Sequence, residues 1–147
     1  MKYVLALLVA AMSGGTALAQ SLDELPPDVA AVSRDAVAAC RKIGGKPDYE
    51  PLDLVKLVRL DRSGAYLVDT RALRCKGGRN ARKDGRVHCR DNHCKLIIMT
   101  PGTGDRFRIT YRDFVEAWSS MTDGSIKVTI NGDHHTLRLG SDGIEGD

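Results

Sequence analysis

Pro26 to Gly45 reads PPDVAAVSRDAVAACRKIGG. Within it Val29, Val32, Ala36, Cys40 and Ile43 recur every three or four residues, the spacing that lines up one face of an α-helix. Ser33, Arg34, Arg41 and Lys42 fall largely on the opposite face, which is expected to meet solvent. The paired prolines suit a first turn, where a missing N–H leaves nothing unsatisfied. Asp28 at the start, with Arg41 and Lys42 at the end, matches the helix dipole, and Gly44-Gly45 stops the element. Cys40 therefore points inward from the last turn.

After Pro47 and Pro51 the period changes. Val55, Leu57 and Arg59 alternate with Leu54, Lys56, Val58 and Leu60, as a strand does. Asp61-Arg62-Ser63-Gly64 is turn chemistry, and Ala65–Thr70 is a second strand of the same hairpin. Lys76–Arg86 (KGGRNARKDGR) lacks apolar periodicity and reads as a loop. Lys95–Thr100 (KLIIMT) is a buried strand ended by Pro101-Gly102, and Arg106–Tyr111 is another. Phe114, Ala117, Trp118 and Met121 suggest a short helix capped by Asp113 or Thr110. Ser125–Ile130, Asn131-Gly132 and Asp133–Leu139 form the strongest hairpin signal, because Asn-Gly favours the type I′ turn that fits strand twist. The expectation is an α+β domain over 26–139: one N-terminal helix packed on a mostly antiparallel sheet of five to seven strands, with a largely aliphatic core. Residues 20–25 are expected to be a mobile leader and 140–147 an acidic tail.

Ahead of this domain, Lys2, the apolar run Val4–Met12 and the small residues of Ala17-Leu18-Ala19 form the three parts of a secretory signal over 1–19. Nine apolar residues rise roughly 14 Å as a helix, about half a bilayer core, so the run is too short for an anchor. No later stretch is more apolar, so the mature chain is expected to carry no transmembrane segment and to be periplasmic or secreted. Export makes disulfides the expected state of Cys40, Cys75, Cys89 and Cys94. Of three connectivities, Cys89–Cys94 with Cys40–Cys75 is favoured, because the first pair flanks a short turn.

Several of these features occur together. Ala39-Cys40-Arg41 with Gly44-Gly45, Leu60-Asp61, Tyr66-Leu67-Val68-Asp69, Cys75 and Cys89-x4-Cys94 resemble, over roughly positions 37 to 100, an uncharacterised family of small exported proteobacterial proteins. Arg62 and Ala65 stand where that family tends to place Asn, Asp or Gly, and Arg90-Asp91-Asn92-His93 replaces small residues between its second cysteine pair. The resemblance implies export and the four-cysteine framework. It implies no activity.

Sites of chemistry are scarce. His88-Cys89 and His93-Cys94 have zinc-type ligands, but the pairs are too close in sequence to surround one ion, and export favours oxidation. Asp61 and Ser63 begin a calcium-like spacing that Ala65 and Tyr66 do not continue, and Arg62 adds the wrong charge. His134 and His135 point to opposite faces of a strand. No nucleophile elbow or phosphate loop occurs. No catalytic residue, metal or cofactor is therefore assigned.

Charge is more informative. The chain carries a formal +3, yet Arg71–Lys95 alone holds nine Lys or Arg against Asp84 and Asp91, a net +7 in 25 residues. Segregated charge of this kind attracts anionic partners within a Debye length, about 8 Å at physiological salt. Arg79, Arg82, Lys83 and Arg86 lie at the centre of the run and are the candidate binding residues. The expected partner is an anionic envelope component or an acidic protein. Nucleic acid is not expected, since no aromatic residue interrupts the run to stack on bases. The first reading is thus an exported, non-enzymatic binding module. The alternatives are a small extracytoplasmic hydrolase using His88, His93, His134 or His135, and a structural envelope protein without a ligand.

Overall fold

The computed structural model describes residues 21–60, 63–79, 85–140 and 143–146. The signal segment 1–19, the turn residues Asp61 and Arg62, and Arg82 and Lys83 of the basic run lie outside them. The domain is α+β, as expected, with one main helix, α1 (Pro27–Lys42), entered through Pro26 and Pro27. Two amides close its end: Gly44 N–H donates to the Arg41 carbonyl and Gly45 N–H to that of Cys40. The buried face is rotated from the expected one. Val29, Ala30, Ser33, Ala36, Val37 and Cys40 face inward, and Ser33, assigned to solvent from the sequence, is fully buried. Its hydroxyl donates to the Val29 carbonyl at 2.8 Å, which removes the cost of burying it.

Two further expectations at the chain ends are corrected. Leu22–Glu24 is a 3-10 turn whose Leu22 is 8% exposed within the helix-side core, so the leader is docked over these residues. At the other end, Gly143–Gly146 is a strand and not a tail.

The chain after α1 forms three antiparallel sheets where a single one was expected. A ribbon pairs β1 (Lys46–Asp48) with the later strand Arg74–Lys76. Between them lie a short helix, α2 (Pro51–Leu54), and the hairpin of β2 (Val55–Leu60) and β3 (Ser63–Asp69). With Arg74–Lys76 as β4, the chain continues into β5 (Cys89–Arg90), β6 (His93–Pro101) and β7 (Phe107–Val115). Strand β6 is central: β3 and β5 pair with it, and so does β7, with a bulge opposite Ile98/Met99. The chain leaves this sheet at Glu116, whose N–H donates to the Thr129 carbonyl. It enters a second sheet of β8 (Ala117–Ser120), β9 (Ile126–Ile130), β10 (Asp133–Gly140) and β11 (Gly143–Gly146). The expected short helix at Phe114–Met121 is therefore the end of β7, a corner, and β8. The β9–β10 turn is as expected, with Asn131 and Gly132 both at positive φ.

These elements stack as helix, sheet, sheet. On one side of the central sheet Val68, Ile97 and Met99 pack with Val29, Val37 and Leu54. On the other, Leu67, Leu96 and Ile98 pack with Ile126, Val128 and Leu137 of the second sheet. Burial on both faces explains why KLIIMT is a continuous apolar run. Each fully buried aliphatic side chain there contributes about 1.5–3 kcal/mol of transfer free energy.

Polar contacts fix the layers laterally. Asp28 accepts two hydrogen bonds from the Arg106 guanidinium, at 2.8 and 2.9 Å, and one from Phe107 N–H, tying the helix start to β7. Those donors, Arg106 first, hold the Asp28 carboxyl below the usual carboxylate range. Between the sheets, Trp118 Nε1–H donates to Asp69 at 2.7 Å, and at the central sheet's edge Arg71, just after β3, donates to the Val115 carbonyl of β7. Both expected disulfides are present, Cys40–Cys75 and Cys89–Cys94. Gly45 and Gly78 crowd the first of them: a Cβ on either would overlap a disulfide sulfur or Ile43, so only glycine fits at this close approach.

Candidate functional site

The basic run begins where the chain is most tightly pinned. Cys75 is bonded to Cys40 in the last turn of α1, with 5.5 Å between their Cα atoms. Arg79 N–H donates to the Ile43 carbonyl at 2.9 Å, and Cys75 N–H donates to the Gly85 carbonyl at 2.6 Å. Both described ends of the segment are thereby held against the same helix end. Arg79 and Arg86, seven positions apart in sequence, come to line one cleft.

That cleft has a volume of about 530 Å³. Ala39 of α1, Ile43 at its cap and Val87 supply its apolar surface, while Arg79, Arg86 and Arg90 supply cationic groups. Among the described residues Asp91, in the β5–β6 turn, is its one acidic lining residue. Of the four candidate residues read from the sequence, Arg79 and Arg86 thus share one cleft.

Arg90 was not among those candidates. It leaves the β5–β6 hairpin, which Cys89–Cys94 closes with 4.0 Å between Cα atoms and in which Asp91 takes a positive φ. The Arg90 guanidinium lies over the Phe114 ring, 4.6 Å from its centroid, and Lys95 Nζ lies over the same ring at 5.5 Å. An aromatic face attracts a cation and holds it with its outward edge open to other partners. Two cations on one ring also repel each other, and an anion between them relieves that repulsion. Among the described residues, no carboxylate is in ion-pair contact with Arg79, Arg90 or Lys95. The sequence signal for Phe114 was hidden, because Lys95 and Phe114 become neighbours only through the β6–β7 register.

The four histidines lie in different surroundings. His88 Nε2–H donates to the Ala36 carbonyl at 2.7 Å, fixing the start of β5 against α1. His93 Nε2 lies 3.2 Å from Glu116, whose other oxygen accepts from Gly132 N–H. His134 Nδ1 is 3.0 Å from the Thr129 hydroxyl on the solvent side of the last hairpin, and His135 is exposed. Among the described residues no three His, Cys, Asp or Glu side chains converge as metal ligands. Nor is any of their helices long and apolar enough to cross a membrane. No family model, curated protein or solved structure matches this chain.

Proposed function

We propose that this protein is an exported, non-enzymatic binding module that uses its basic face to engage an anionic envelope component or an acidic protein. The observation that carries this reading is the convergence of Arg79, Arg86 and Arg90 on one cleft beside the end of α1. Among the described residues no carboxylate pairs with Arg79 or Arg90, so an external anion displaces no ion pair there, and a concave setting focuses the field of the three cations. The signal-like segment 1–19 and the two disulfides support export to the periplasm or beyond. Arg82 and Lys83 belong to the same run of sequence and are included in the test on that ground.

Replacing Arg79, Arg82, Lys83 and Arg86 together by Gln tests the reading. Retention of the variant on an immobilised anionic polymer should be largely abolished, and wild-type retention should fall steeply as salt rises. Thermal unfolding of Arg79→Gln alone should change little, because Arg79 is exposed and exposed charges contribute little to stability. Retention that survives the fourfold change, or that ignores salt, rejects the proposal.

A further inference from the structure

A second cleft lies beside His88, between α1 and the central sheet. Its volume is about 260 Å³, below the usual range for drug-sized ligands and suited to a molecule the size of an amino acid. One wall is α1, contributing Val32 and Asp35. The facing wall is the sheet, contributing Ile97 and Lys95 of β6 and Arg112 of β7. Register places these cations side by side: Arg112 is opposite Ile97, and Phe114, which carries Lys95 on its ring, is opposite Lys95. His88 closes the floor, locked to the helix by its bond to Ala36.

Charges of both signs thus face one cleft, and Asp35 forms no ion pair with Lys95 or Arg112. Asp35 repels a simple anion bound at Arg112, and Lys95 and Arg112 repel a simple amine bound at Asp35. A ligand with both charges satisfies each wall. We propose that this cleft binds a small zwitterion of the α-amino-acid type. Its carboxylate meets Arg112 and Lys95, its ammonium meets Asp35, and a small or medium apolar side chain rests on Val32 and Ile97. The planar guanidinium of Arg112 suits a carboxylate, which it can grip through two parallel hydrogen bonds. The two sites share Lys95, but Asp35 and Arg112, which decide the zwitterion preference, lie outside the basic run, so the tests below separate this proposal from the basic-face function.

Isothermal titration of the oxidised protein with L-alanine, L-leucine, N-acetyl-L-leucine and L-leucinamide tests the proposal. At least one free amino acid should bind. Each blocked leucine should bind about tenfold or more weakly than L-leucine, the scale of one lost charge-assisted contact. Asp35→Asn should erase the discrimination against the N-acetyl form, and Arg112→Gln that against the amide, with unchanged circular dichroism in both variants. The proposal is overturned if neither amino acid binds at millimolar concentration. It is equally overturned if the blocked forms bind as well as the free one, or if both variants discriminate as the wild type does. None of these results depends on the basic loop, and the fourfold Gln variant should bind amino acids normally.

Discussion

Cys40→Ser combined with Cys75→Ser should lower the free energy of unfolding by about 3–4 kcal/mol, read from the urea midpoint under non-reducing conditions. The bridge closes a loop of roughly 36 residues, for which the chain-entropy model gives about 4 kcal/mol. Against a total stability of about 5–15 kcal/mol for a domain of this class, the loss is large. The damage should also be local, because this bridge joins the last turn of α1 to β4. Arg79 is held to the helix end only a few residues from Cys75, so the basic cleft should loosen with it. An unchanged midpoint would contradict this placement of the bridge.

Ile98→Ala and Ile97→Ala should each destabilise the protein by about 2–4 kcal/mol, the usual range for emptying a buried aliphatic site. The expectation that both are costly is particular to three layers. Ile97 is 5% exposed and faces α1, whereas Ile98 is fully buried and faces the second sheet. A sheet with one solvated face would tolerate one of these neighbouring changes. Urea denaturation of the two variants distinguishes the cases, and a cost under about 0.5 kcal/mol for either, the scale of a surface substitution, would contradict the layering.

How much of this was legible depends on how strongly each residue constrains its surroundings. The helix, most of the strands of the central sheet, the Asn131-Gly132 turn and the cysteine pairing were readable, because each has a short-range cause. The face of α1 was less so. In an alanine-rich helix the apolar contrast is weak, and Ser33 could be buried once its hydroxyl found the Val29 carbonyl. The segment 114–121 misled because Phe114, Ala117, Trp118 and Met121 have helical spacing. In fact Val115 is buried, Met121 is 47% exposed, and the chain turns at Glu116 into a different sheet. Strand β11 was invisible, since Gly143–Gly146 joins β10 by backbone pairing and shows no apolar alternation.

The candidate site divides in the same way. Excess positive charge in Arg71–Lys95 is a property of the sequence, and so is the selection of Arg79 and Arg86. Their meeting at the helix end depends on the Cys40–Cys75 bridge and the Ile43 carbonyl, which composition alone does not specify. The aromatic seat for Arg90 and Lys95 comes from Phe114 on a neighbouring strand, outside the basic run. Arg112 and Asp35 enter the second cleft from two further elements, and no local pattern links them.

The most direct measurement of the central claim is a backbone-amide NMR titration of the oxidised protein with dextran sulfate at rising salt. Perturbations should concentrate at Arg79, at Val87 to Asp91 and around Phe114, and should fade as salt screens the contact. Perturbations centred on the β9–β10 hairpin, or indifferent to salt, would contradict a basic binding face beside the end of α1.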